Sequence, residues 1–303
     1  MTNSDPSGTP LRVGLFGTGP WAARVHAPAL AAHPGVELAG VWGRRPEAAA
    51  ALAEATGTRA YDDPDALLAD CDAVAIALPP DVQAPLAARA ARAGRHLLLD
   101  KPLATTVEAA REVADAADGA GVASVVFCTL RFAPETAGWI EERRTEGGWY
   151  VGEARWLGSL YGPGSDSPYA ASPWRREKGG LWDLGPHILS VLIPILGDVT
   201  GLTAAKGPDD VHHLVLRHAS GASSTATLGL SAPPAAGGAA LTLHGTAGRA
   251  ELPAWDGART AYGEAVTALL TAARTGTPHP CDARFGLRLT ELLTEAETRA
   301  AGL

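Results

Sequence analysis

Up to about Cys128, short apolar runs alternate with stretches whose apolar positions recur at helical spacing. Val13, Leu15 and Phe16 form the first run. Others cover 36–42, 72–78, 96–100 and 123–128, with a short piece near 58–61. Runs of this length, punctuated by Gly and Pro, suit strands buried on both faces. The intervening stretches 21–32, 46–56, 81–93 and 105–118 read as helices, 46–56 being opened by a proline at its start. Strands alternating with helices in this way predict an α/β fold, a doubly wound parallel sheet that takes its ligand at the carboxyl ends of the strands.

Beyond Cys128 the rhythm changes. Residues 153–160, 211–218, 224–230 and 240–244 alternate or run apolar, with turn signals at Ser220-Gly221 and Thr246-Ala247-Gly248, and they predict an antiparallel or mixed sheet. The stretch 161–180, rich in Gly, Pro and Ser, is too long for a plain connection and reads as a lid or binding loop. Residues 181–196 keep a helical pattern despite Pro186 and Pro194, and 261–274 and 283–300 add further helices. The expected organisation is a disordered tail at 1–10, an α/β domain over 11–127 and an α+β domain over 128–303.

Composition narrows the partners. A formal charge of −8 and a pI near 5.6 in 303 residues argue against nucleic acid or an anionic membrane, each of which needs a basic face. The three cysteines, Cys71, Cys128 and Cys281, are odd in number and widely spaced, which predicts reduced thiols in a cytoplasmic protein. The N-terminal residues lack the basic and apolar regions of a secretion signal, and no uninterrupted apolar run reaches membrane-spanning length.

Four stretches carry candidate chemistry. Gly17-Thr18-Gly19-Pro20-Trp21-Ala22 follows the first apolar run and opens a helix, as a dinucleotide-binding turn does. In that pattern the first glycine permits the turn, the second lets a pyrophosphate approach, and the alanine allows close helix packing. After the second run, where NAD-preferring proteins offer a carboxylate to the ribose, the chain reads Gly43-Arg44-Arg45. An arginine fork can bind a 2'-phosphate, so the cofactor predicted is NADP, with NAD still possible; the plainer alternative is a pair of solvated arginines at a helix start. Asp100-Lys101-Pro102 sits where a later strand ends. There an ammonium can stabilise charge developing on a substrate oxygen, or simply be solvated. Asp183 and His187 stand one helical turn apart and suit a proton relay, although a helix cap plus a core histidine would look the same. No third residue of a metal site accompanies them.

These motifs, in this order, resemble the Gfo/Idh/MocA oxidoreductases, the family of glucose-fructose oxidoreductase and inositol dehydrogenase. The resemblance runs through GTGPWA, residues 77–83 (ALPPDVQ), the D-K-P variant of the family's E-K-P, Arg131-Phe132, GGLWDLGPH and residues 280–287. It implies an N-terminal Rossmann domain and a C-terminal domain with an open, mainly antiparallel sheet, whose face forms a dimer or tetramer interface. It also implies that Lys101 and His187 are the catalytic pair with Asp183 beside them, and that the Lys101-Pro102 bond is cis. The cofactor would be lined by Gly17, Thr18, Gly19, Pro20, Trp21, Gly43, Arg44, Arg45, Leu78, Pro79, Pro80, Gln83, Asp100 and Lys101. The substrate would meet Lys101, Thr129, Arg131, Asp183 and His187. The activity implied is hydride transfer between a nicotinamide and a carbinol or carbonyl carbon of a sugar, cyclitol or related polyol. Two alternatives stay open within such a fold: a non-catalytic dinucleotide or metabolite sensor, and a glycosidase that oxidises its substrate transiently with tightly bound NAD. Asp100 for the usual Glu, Gln83 for a frequent His, and a shortened segment at 252–261 are departures from the family pattern.

Overall fold

The structure, a computed structural model, describes residues 9–302; most of the expected tail at 1–10 lies outside the described residues. The chain resolves into two compact units. One gathers residues 9–103, Arg111–Phe127 and Gly257–Arg284, the other Ala104–Ala110, Cys128–Asp256 and residues 285–302. A division at 127/128 would leave 257–284 with the second domain. In the structure the helix in that stretch packs instead on strands and helices of the first unit, because its face bearing Tyr262, Val266 and Leu269 is apolar and buried.

In the first unit β1 (Leu11–Phe16), β2 (Val36–Trp42), β3 (Ala60–Tyr61), β4 (Ala73–Ile76), β5 (His96–Asp100) and β6 (Ser124–Phe127) form a parallel sheet in the order β3-β2-β1-β4-β5-β6. The order reverses between β1 and β4, which opens a crevice at the carboxyl ends of these strands. The crossovers are α1 (Ala27–Ala32, preceded by a π-helical turn over Ala22–His26), α2 (Pro46–Thr56), α3 (Pro64–Ala69), α4 (Pro80–Arg92) and α5 (Val107–Ala120). The periodicity of the sequence does not reveal α3, although Asp63 caps it by accepting from the Asp65 N–H and Pro64 occupies its first turn. With six residues it shows too little periodicity to stand out.

The second unit is built on a mixed sheet in the order β12-β11-β7-β10-β9-β8. It comprises β7 (Trp149–Leu157), β8 (Val199–Lys206), β9 (His212–His218), β10 (Ser223–Gly229), β11 (Gly238–Gly245) and β12 (Gly248–Glu251). Only β7 and β10 pair in parallel. One face packs on α7 (Pro173–Leu196), which is why Leu214 and Leu216 alternate with exposed neighbours along β9. α7 is long and apolar enough to span a membrane by composition, yet 83% of that window is buried inside the protein as a core helix. The segment before β7 is a helix, α6 (Pro134–Glu146), whose amphipathic pattern is too weak to mark it in the sequence. The chain closes with α8 (Ala258–Thr275), in the first unit, and α9 (Ala283–Ala300).

Candidate active site

The carboxyl ends of β1, β2, β4 and β5 lie side by side, so the segments leaving these strands collect on one edge of the sheet. The glycine turn comes after β1. Gly17 has φ 129°, donates its N–H to the Trp42 carbonyl at 2.8 Å, and would place a Cβ 2.3 Å from the Ala77 carbonyl oxygen. Only glycine satisfies both the dihedral and the contact. A Cβ on Gly19, by contrast, would meet nothing within 4 Å. Its bare face opens outward at the start of the helix, a cradle that fits a dinucleotide diphosphate. Past β2, Arg44 and Arg45 are exposed, and Leu78 and Pro79, half-buried, come after β4, with Pro80 buried in the first turn of α4. Asp100 closes β5, Lys101 succeeds it half-buried, and the Lys101-Pro102 peptide is cis.

Gln83 departs from its expected part in cofactor binding. Its side chain is fully buried, and Nε2 donates to the carbonyls of Asp100 (2.8 Å), Pro102 (3.2 Å) and Leu103 (3.2 Å) while Oε1 accepts from the Asp100 N–H at 2.8 Å. Every polar atom of the amide is engaged, so it clamps the turn that carries Lys101 and has nothing left for a cofactor.

In the second unit the candidate residues are organised by α7. Gly179, with φ 62°, breaks the helix after its first turns, so the expected loop at 161–180 is irregular only up to Ser172. The carboxylate of Asp210, from the β8–β9 connection, accepts from the backbone N–H groups of Gly180 (2.9 Å), Leu230 (2.7 Å) and Ser231 (3.0 Å). It thereby ties the restarted helix to the end of β10 and supplies a distant cap at its positive end. From there Asp183 and His187 come one turn apart, 9% and 8% exposed. Thr129 and Arg131 lie half-buried in the turn after β6, and Arg131 Nη1 donates to the Ser190 carbonyl of α7 at 3.4 Å.

Two neighbours of this pair are not evident from the sequence. Arg175 Nε donates to Asp183 Oδ1 at 3.1 Å, with its guanidinium over the rings of Trp174 (4.6 Å) and Tyr169 (5.7 Å). The indole of Trp156 lies 5.2 Å from the His187 ring at 31° and is backed by Trp255 at 5.5 Å. The kink at Gly179 hides the first, since helical spacing does not carry across it; strand alternation over 149–157 is the available signal for the second.

A family model described as "Oxidoreductase family, NAD-binding Rossmann fold" matches residues 11–127, and one for the GFO/IDH/MocA C-terminal domain matches residues 150–251. The chain belongs to the Gfo/Idh/MocA oxidoreductase family. Among its relatives, the dTDP-3,4-didehydro-2,6-dideoxy-alpha-D-glucose 3-reductase of Streptomyces violaceoruber is 41% identical over 193 residues, 62% of this chain and 55% of that protein. The D-glucoside 3-dehydrogenase of Escherichia coli (strain K12) is 34% identical over 197 residues, 62% of this chain and 55% of its own. The chain spans little more than half the length of these curated relatives. GenD2 from gentamicin A biosynthesis, solved in complex with NAD, superposes with a TM-score of 0.84 at 25% identity, covering 99% of this chain and 97% of that one.

Proposed function

We propose that this Gfo/Idh/MocA protein is an NADP-preferring oxidoreductase acting on a carbinol or carbonyl carbon of a sugar, cyclitol or related polyol. The observation that carries the reading is the collection, on one edge of the parallel sheet, of the GTGPWA turn, Gly43-Arg44-Arg45 and Lys101. A bound nicotinamide supplies or accepts the hydride. The turn at Gly17 to Trp21 holds the diphosphate, and Arg44 and Arg45 meet a 2'-phosphate. Lys101 donates to the reacting oxygen and stabilises its developing negative charge. His187 exchanges a substrate proton, with its ring faced by Trp156. Asp183, paired with Arg175, anchors a further hydroxyl or orients the imidazole, and Thr129 and Arg131 border the substrate. Relatives named as a sugar reductase and a glucoside dehydrogenase support a carbohydrate substrate. The three cysteines are buried thiols and support a reducing, cytoplasmic setting.

The test is a panel of sugars, polyols and their keto forms monitored by nicotinamide absorbance with both cofactors. Turnover on at least one member, faster with NADP(H), is expected. Cofactor binding with no turnover across the panel would favour a sensor instead, and stoichiometric NAD retained through purification would favour a glycosidase that oxidises transiently.

A further inference from the structure

His26 is fully buried and ends the π-helical turn Ala22–His26, in which the Ala27 N–H reaches back to the Ala22 carbonyl. A π turn inserts one residue and so redirects the side chains it carries, and such turns concentrate at functional sites. Here it delivers the imidazole into an aromatic box. The ring stacks on Tyr262 with centroids 4.0 Å apart at 28°, and meets Phe127 and Trp21 nearly edge-on, each at 6.4 Å. Among the described residues neither ring nitrogen has a hydrogen-bond partner, nor has the buried Tyr262 hydroxyl. Nε2 faces the Asp100 carboxylate, 3.3 Å from Oδ1. An apolar ring would pack in this box without the cost of burying two polar nitrogens, so retention of a histidine points to its contact with Asp100.

We infer that His26 is a positioning residue for Lys101, acting through the carboxylate of Asp100. The inference rests on the reading of Lys101 as the group that meets the substrate. Gln83 already grips Asp100 by its N–H and carbonyl. That backbone grip fixes where β5 ends. His26 adds a second anchor at the Asp100 carboxylate, which resists movement of the strand end from which the neighbouring Lys101 side chain leaves on the opposite side. With Asp100 held from both its backbone and its carboxylate, Lys101 leaves the strand in one direction. Support of this kind behind a reacting group is worth much of its rate, since a displacement of about 1 Å can cost ~100-fold.

Two substitutions separate the contact from the packing. His26→Phe keeps a ring against Tyr262 and loses Nε2; His26→Gln loses the ring and keeps an N–H at the same reach. Lys101, Lys178 and Lys206 are the only lysines in the chain, so reductive methylation with 13C gives a short set of resonances in the NADP-bound protein, with Lys101 assigned by its loss in Lys101→Arg. In His26→Phe the Lys101 resonance is expected to move and kcat to fall roughly 10- to 100-fold, with KM and the NADP dissociation constant within about twofold of wild type. His26→Gln should restore both. Asp100→Ala, which cuts the same contact from the other side, should likewise move the Lys101 resonance and lower kcat, and serves if that variant fails to fold. An unmoved Lys101 resonance in the folded variants overturns the inference, as does full activity in His26→Phe with loss in His26→Gln. If the resonance behaves as expected while wild type turns over nothing on the substrate panel, the positioning stands and the proposed reaction is what fails.

Discussion

At Arg44 and Arg45 the chain leaves β2 with two exposed guanidiniums and no carboxylate. A single charge-assisted contact to a 2'-phosphate is worth ~1.5 to 3 kcal/mol, which corresponds to about 10- to 150-fold preference for NADP(H) over NAD(H). Titration calorimetry should show that preference and its collapse in Arg44→Ala; equal affinities in wild type would refute it. Lys101 and His187 make a second residue-scale case. If both serve one substrate oxygen, Lys101→Met and His187→Ala should each lower turnover by ~100-fold or more while the NADP dissociation constant stays put. The losses should not add, because groups that act on one proton fail as a unit, so the double variant should be little worse than the poorer single one. Full turnover in both single variants would mean that the family's chemistry is performed here by other residues.

At the scale of elements, the restart of α7 depends on a contact between backbones. A Cβ on Gly180 would stand 2.5 Å from the Gly229 Cα and 2.7 Å from its nitrogen, and no side-chain motion can relieve that. The same junction is held by Asp210, whose carboxylate serves three backbone N–H groups. Asp210→Ala orphans all three and should destabilise the protein by about 2–4 kcal/mol, read from urea unfolding, with Asp210→Asn milder because one acceptor oxygen remains. A loss below about 1 kcal/mol would show that water replaces the carboxylate without cost. Since this junction sets the start of the helix segment bearing Asp183 and His187, both substitutions should also depress turnover.

For the whole molecule, histidines wholly or partly withdrawn from water make stability depend on pH. Burial lowers the pKa of His218 from 6.5, its ring being held by the Gly197 carbonyl and Ser224 Oγ at 2.8 Å each, and burial likewise lowers His33 and His96. The unfolded chain then binds more protons than the folded one just below 6.5. Stability from these groups is therefore complete above that value and falls as pH drops through it toward the folded-state pKa values. The urea midpoint should be lower at about pH 5.5 than at about pH 7.5, and His218→Gln should flatten the difference; a pH-independent midpoint would contradict the assignment. The outer face of the second sheet motivates another expectation. Thr203, Val215 and Thr225 stand in register there, and Val215 is 50% exposed. Such a β-branched stretch on an open sheet face, bordered in register by Glu153, suits pairing with a second copy. Light scattering should return a multiple of 31.0 kDa for wild type and a smaller species for Val215→Lys; a wild-type monomer at micromolar concentration would exclude the assembly.

The parallel sheet is legible in the order of its runs because strands buried on both faces advertise themselves as apolar blocks, and the GTGPWA turn because the spacing of its small residues directly after a strand is itself a local pattern. The one-turn spacing of Asp183 and His187 is legible for the same reason: helical periodicity is local. What periodicity cannot carry is partnership across sequence distance. The short helix α3 and the weakly amphipathic α6 have no strong period of their own, and α8 joins the first unit through an apolar face whose partner the sequence does not name. Gln83 resembles a cofactor contact in sequence, but folding sets it beneath the turn after β5, 17 residues away. His26, Arg175 and Trp156 likewise acquire their roles only through neighbours that tertiary structure supplies. The sequence by itself determined the alternation of elements and the residue types at the candidate site; the tertiary structure alone decided which of those side chains find partners far along the chain, because such contacts leave no local period.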